Sequence, residues 1–192
     1  TQITDGNDPP FIADNAKHGD SGVPVKEYNE FRLDMIQRYQ PDIVLMSWYA
    51  MELNGDSDPI KTEGYLNEFI FRIHNLAPKT RIILIGSFPQ WDISLHNQMV
   101  NWYNQRHSLP PLRMNFGLSV AGMQFDTLFQ KTFTNQNAEY ISSYNELCTK
   151  EGCLTRISDG PKDITAVDWG HLSDAGSKYL VQKIADRIFL VP

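Results

Sequence analysis

Cysteine is scarce in this chain, with only Cys148 and Cys153 among 192 residues. Long apolar runs are missing as well. The most extended aliphatic stretches are Ile43 to Met46 and Ile82 to Ile85, too short for any segment to span a bilayer. Nothing at Thr1 reads as a signal peptide, so a segment that exports or tethers the native protein is not expected within this sequence. A basic stripe is also lacking. The 17 Lys and Arg are outnumbered by 23 Asp and Glu, and the net charge of −6 is spread along the chain. That argues against nucleic acid as the main partner. Internal repeats, low-complexity tracts and a second-domain boundary are absent. What remains is an ordinary globular composition, 41% hydrophobic and 21% charged. A chain of this length can bury a core without staples, which predicts one domain over residues 1–192.

The two cysteines flank Thr149-Lys150-Glu151-Gly152. They read either as separate thiols in a reducing compartment or as a disulfide across a tight glycine-containing turn. The disulfide, preferred here, implies an oxidising compartment. A zinc site fits less well, because the spacing is wrong and no second ligand pair follows.

Residues 1–25 read as loop, with Gly6, Pro9, Pro10, Gly19, Gly22 and Pro24 and little apolar material. From Tyr28 the pattern changes. Tyr28, Phe31, Met35, Ile36 and Tyr39 recur at helical spacing until Pro41, and Ile43-Val44-Leu45-Met46 follows as a strand buried on both faces. The unit repeats with Tyr65, Leu66, Phe69, Ile70 and Ile73, a stop near Pro78, and a buried strand Arg81–Ile85. Alternation of this kind predicts parallel β-α-β units. A helix through Leu95, Met99, Trp102 and Tyr103 is broken at Pro110-Pro111. Leu128-Phe129 belong to another, and Glu139-Tyr140-Ile141 is a third strand. The last helix has Ser173 as N-cap, Asp174 in its first turn, and Tyr179, Leu180, Ile184 and Ile188 on one face.

Just before that helix stands Asp168-Trp169-Gly170-His171. In a doubly wound sheet, ligands bind beyond the carboxyl ends of the strands, where this loop is expected. A carboxylate three residues before a histidine can reach its near nitrogen, set its tautomer and stabilise the imidazolium, while the far nitrogen serves a nucleophile. Of the five histidines (18, 74, 96, 107 and 171), only His171 has such an acid; the other four are taken as surface or core residues. The blander alternative is a pair that caps the helix or binds water.

The run Asp168-Trp169-Gly170-His171-Leu172-Ser173-Asp174-Ala175-Gly176-Ser177 resembles the last block of the SGNH hydrolases, in particular the SGNH domains fused to bacterial acyltransferase-3 membrane proteins. The resemblance continues elsewhere. Pro41-Asp42-Ile43-Val44-Leu45-Met46-Ser47-Trp48-Tyr49 is similar to a family strand ending in tryptophan. Gly86-Ser87-Phe88-Pro89-Gln90-Trp91 is similar to the proline-bearing loop after the next strand. Tyr140-Ile141-Ser142, Leu147-Cys148 and Cys153 are similar to the segment before the catalytic block, where paired cysteines are common. The implied fold is a three-layer α/β/α, flavodoxin-like domain with a parallel sheet. The implied activity is acyl transfer or ester hydrolysis at cell-envelope glycans by a Ser-His-Asp mechanism, without metal or organic cofactor. Its partners are an acyl donor, a glycan acceptor and an acyltransferase-3 membrane domain, at the periplasmic or extracellular face of the inner membrane. A non-catalytic module that binds glycan or docks on the membrane domain, and a stand-alone carbohydrate esterase, are the rivals.

The family's serine lies in a Gly-Asp-Ser motif directly after the first strand, and the tripeptide occurs here at Gly19-Asp20-Ser21 and Gly55-Asp56-Ser57. A nucleophile is held on a sharp turn at a strand end, with an apolar strand running into it. Ser21 follows the polar Ala13–His18, and Ser57 follows a strand only after Tyr49–Asn54. Ser21 is the candidate nucleophile within the chain. The alternative is that Thr4-Asp5-Gly6-Asn7-Asp8-Pro9-Pro10 corresponds to the stretch after the family's second strand, so that the first strand and its serine precede Thr1. The family's Gly-x-Asn-Asp oxyanion segment is replaced by Ser47-Trp48-Tyr49-Ala50, with Asn54 further along as a candidate donor. Of Trp48 and Tyr49, one is expected in the core and one in a pocket.

Overall fold

The structure, a computed structural model, describes residues 25–47, 59–160 and 162–189. In chain order the elements begin with α1 (Val25–Tyr39), β1 (Ile43–Ser47), α2 (Pro59–Leu76), β2 (Arg81–Ile85), α3 (Leu95–Arg106) and β3 (Arg113–Met114). They continue with α4 (Val120–Thr132), β4 (Ala138–Ile141), α5 (Ser143–Leu147), β5 (Cys148–Thr149), β6 (Gly152–Leu154) and α6 (Asp174–Phe189). The chain divides into two compact units. One comprises Thr1–Ser87 and Phe125–Ile141, the other Phe88–Gln124 and Ser142–Pro192.

The first unit carries a parallel sheet in the order β1-β2-β4, as the alternation of helices and apolar runs predicts. Ile43 pairs with Arg81 and Ser47 with Ile85; across β2, Ile82 pairs with Ala138 and Ile85 with Ile141. The register starts at two hydrogen bonds, Arg81 N–H to Asp42 O (2.9 Å) and the Thr80 hydroxyl to Pro41 O (2.6 Å). Strand alternation sends Ile82 and Leu84 to one face, where they pack with Leu33 and Ile36 of α1, Leu66, Phe69, Ile70 and Ile73 of α2, and Phe125 and Phe129 of α4. Ile83 on the opposite face is equally buried, so β2 is covered on both sides. Burial of each such side chain stabilises the fold by roughly 1.5–3 kcal/mol.

One strand departs from expectation. Leu45 of β1 is 49% exposed, so this strand is not buried on both faces. Among the described residues β1 is the outer strand, with a hydrogen-bonded neighbour on one side only. Inside the same unit, Tyr140 donates from its hydroxyl to Asp126 (2.6 Å), and the Gln130 amide donates to the other oxygen of that carboxylate (2.8 Å). Arg72 and Glu30 join α2 to α1 through a bidentate pair at 2.7 and 2.8 Å.

The second unit contains a small antiparallel sheet, order β3-β6-β5, that the sequence pattern did not suggest. Its strands have two or three residues each, too few to show an alternation. Cys148 stands directly opposite Cys153 in the β5–β6 pairing, and the two form a disulfide, as the preferred reading of their spacing anticipated. Gly152, at the far end of the turn, has φ +117, and a Cβ there would lie 2.3 Å from the Met114 backbone. Only glycine meets both demands. Around the hairpin, Trp91, Leu95, Met114, Tyr144, Cys153 and Ala166 form a second core, flanked by Met99, Trp102, Phe116 and Leu118.

Helix α6 begins as its sequence predicts. Ser173 accepts the Gly176 N–H at 3.0 Å and donates to Ile164 O, so one hydroxyl caps the helix and ties it to the preceding segment. Leu180, Ile184 and Ile188 form its buried stripe.

Candidate active site

Asp168 and His171 belong to the second unit, in a loop whose ends are pinned to each other. Ala166 bridges Leu172, Ser173 N–H donates to Thr165 O (2.9 Å), and Val167 N–H donates to His171 O (2.9 Å). The five residues from Val167 to His171 therefore form a closed turn at the start of α6. Asp168 folds back over it, one carboxylate oxygen accepting the N–H groups of Gly170 (2.8 Å) and His171 (2.7 Å). Aspartate is well suited to such a turn, because its short side chain reaches the backbone two and three residues on.

The other carboxylate oxygen, Oδ2, lies 2.6 Å from Nδ1 of His171. A carboxylate only accepts, so Nδ1 carries a proton, and a neutral ring presents Nε2 as its lone-pair nitrogen. The imidazole is 68% exposed, which leaves the edge beyond Nδ1 accessible. Burial raises the Asp168 pKa, but the two backbone N–H groups and the His171 ring outweigh it and hold the carboxyl below its ordinary value. Asp168 is thus an anion at neutral pH, oriented by the backbone and aimed at one ring nitrogen.

A second segment, more than sixty residues earlier in the chain, supports this turn from behind. Trp91 N–H donates to Trp169 O (2.7 Å) and Leu95 N–H to Asp168 O (3.0 Å). Trp91 and Leu95 are buried in the second core, so their amides have little freedom. Gln90 is buried beside them, and its carbonyl accepts Ser119 N–H at 2.7 Å. These supports were not read from the sequence. They are backbone groups, which leave no residue-type signal, although the loop that bears them is the proline-bearing segment whose family resemblance is noted above.

Ser21, Ser57, Trp48, Tyr49 and Asn54 lie outside the described residues. Ser47 ends β1 in the first unit and is exposed. Among the described residues, no group of three or more His, Cys, Asp or Glu is placed to hold a metal ion. No helix among them is long and apolar enough to cross a membrane.

Comparison with known proteins defines the class. Residues 1–186 match the SGNH domain family described as fused to AT3 domains. The match runs through both units, and the chain belongs to this family. Among solved structures, it is similar to the periplasmic domain of the lipopolysaccharide acetyltransferase of Salmonella ser. Paratyphi A. Identity is 38% and the TM-score 0.93, over 99% of this chain and 72% of that one. A Streptococcus pneumonia structure described with reference to platelet activating factor is 14% identical, with a TM-score of 0.52, over 82% of this chain and 68% of that one. At that identity it shows the fold alone. Among curated proteins, none matches the chain.

Proposed function

We propose that residues 1–192 act as one extracytoplasmic SGNH-type domain of an O-acyltransferase or esterase, in which Asp168 and His171 are the acid and base of a Ser-His-Asp site. The observation that carries this reading is the 2.6 Å contact between Asp168 Oδ2 and His171 Nδ1, made by a carboxylate whose other oxygen is fixed by two backbone amides. A merely helix-capping aspartate needs the second set of bonds but not the first.

The chemistry follows in two balanced steps. The serine oxygen attacks the acyl carbonyl as His171 Nε2 takes its proton. The tetrahedral adduct then collapses, and the leaving oxygen receives that proton. A glycan hydroxyl or water next attacks the acyl-serine, giving its proton to His171, which returns it to the serine. Asp168 stabilises the imidazolium in both halves. No cofactor enters. Ser21 is the candidate nucleophile that this chain offers.

The glycan substrate and the periplasmic setting are supported by the lipopolysaccharide acetyltransferase relative, and the Cys148–Cys153 disulfide suits an oxidising compartment. A membrane acyltransferase-3 partner is supported by the family's description. A fluorophosphonate probe tests the reading. Covalent labelling that vanishes in His171→Ala, and that mass spectrometry maps to a serine, is the expected result. Labelling that His171→Ala leaves intact, or none in a protein retaining both units and their flanking segments, would sink it in favour of a binding or docking module.

A further inference from the structure

The SGNH chemistry leaves one prominent side chain of the loop without a task. Trp169 stands between the dyad members in sequence and is 39% exposed, although exposing an indole forfeits apolar burial. The backbone that carries it is nevertheless held firmly. Its carbonyl accepts the buried Trp91 N–H, and the neighbouring Asp168 carbonyl accepts that of Leu95. Its ring centroid lies 6.0 Å from that of His171 with the planes at 62°. Beside it Gly170 offers open room, since a Cβ there would make only an ordinary contact with Gln90 at 3.6 Å. Val167, on the same turn, and Ile93, between the two anchoring amides, are exposed too. An apolar rim thus adjoins an acid–base pair.

Rigid, exposed and apolar next to reacting groups is the description of a recognition surface. Its charge favours one kind of occupant. No Lys or Arg occurs from Gln90 to Gln105 or from Asp163 to Ser177, whereas Asp92, Asp163, Asp168 and Asp174 do. An anionic membrane or a phosphate-rich ligand is therefore disfavoured. A neutral pyranose is not. Its axial C–H face is apolar and matches an indole, while its rim of hydroxyls remains polar.

We infer that Trp169 is a stacking platform for a pyranose ring of the acceptor, setting one ring hydroxyl beside His171 Nε2. The inference rests on the reading of His171 as the base, but its test does not depend on turnover. The Trp169 indole N–H resonance, assigned by its loss in Trp169→Phe, is followed while methyl pyranosides of glucose, galactose, mannose and rhamnose are titrated to millimolar levels. Sorbitol, which has hydroxyls but no ring face, is the control. At least one pyranoside should shift the resonance saturably and sorbitol should not. The dissociation constant of that sugar, read in parent and variants alike from the sugar's own proton resonances, should rise about tenfold or more in Trp169→Ala and far less in Trp169→Phe. Any of three results would overturn the inference: no pyranoside effect, an equal effect of sorbitol, or equal binding by Trp169→Ala. A Trp169 response to anionic phosphatidylglycerol vesicles instead of sugars would assign the ring to a membrane contact. Fluorophosphonate labelling of the parent and His171→Ala reports separately on the acid–base reading, so a failure there is distinguishable from a failure of sugar binding.

Discussion

The Asp168 carboxylate meets His171 twice, Oδ1 at the backbone N–H (2.7 Å) and Oδ2 at the ring Nδ1 (2.6 Å). One side chain thus fixes both where the histidine sits and which way its ring turns. The first contact needs only an oxygen, the second needs an acceptor, and charge strengthens both.

Asp168→Asn separates these demands. The amide oxygen can keep the backbone bonds, but the NH2 that replaces Oδ2 cannot accept from Nδ1. Nitrogen NMR of the imidazole should show Nδ1 protonated in the parent and a loss of that preference in the variant. If the proposed mechanism holds, ester turnover falls by about 10³-fold or more while the circular dichroism spectrum is unchanged.

The same carboxylate makes stability depend on acid in a defined direction. Its folded pKa is depressed, so the stabilisation it contributes is present above the ordinary carboxylate range and is lost as pH falls through the folded value. Asp168 is more than a third exposed, and solvent screening keeps the contribution under about 1 kcal/mol. Urea unfolding midpoints of the parent and Asp168→Asn should differ slightly at pH 7 and converge toward pH 2. A gap that widens on acidification would contradict the assignment.

The Cys148–Cys153 disulfide closes a short loop, so its loss should cost about 2 kcal/mol. In Cys148→Ser/Cys153→Ser the melting temperature is expected to drop by roughly 4–8 °C. The parent treated with reductant should fall to the same value, which differential scanning calorimetry measures directly.

Gly176→Ala tests the seat of α6. By helix propensity alone alanine would gain about 1 kcal/mol. Here the new Cβ would lie 2.1 Å from the Thr165 carbonyl oxygen, a backbone atom that also accepts Ser173 N–H. The substitution should therefore destabilise by roughly 1–3 kcal/mol and loosen the His171 turn. Equilibrium unfolding gives the sign, and a stabilised variant would show that α6 is not packed as described.

Much of this was legible because it is local. A histidine and an acid three residues apart can meet within one turn of chain, and Ser173 followed by an apolar stripe marks a helix start. Ile82 to Ile85 declares a buried strand by composition. The cysteine spacing suggested a bridge for the same reason, since four intervening residues suffice for a tight hairpin. The tripeptide Gly-Asp-Ser illustrates the opposite. It occurs twice, and a short polar string carries no information about whether a strand leads into it.

The sequence by itself determined the parallel β-α-β pattern, the last helix and the Asp168–His171 pairing, because each depends on periodicity or on partners a few residues away. Tertiary structure alone decided that, among the described residues, β1 is the outer strand with Leu45 exposed, and that three very short strands form a second sheet. It alone decided, too, that the amides of Trp91 and Leu95 hold the Asp168–His171 turn. Those outcomes depend on which distant segments meet and on backbone groups that every residue carries alike, so no residue type announces them.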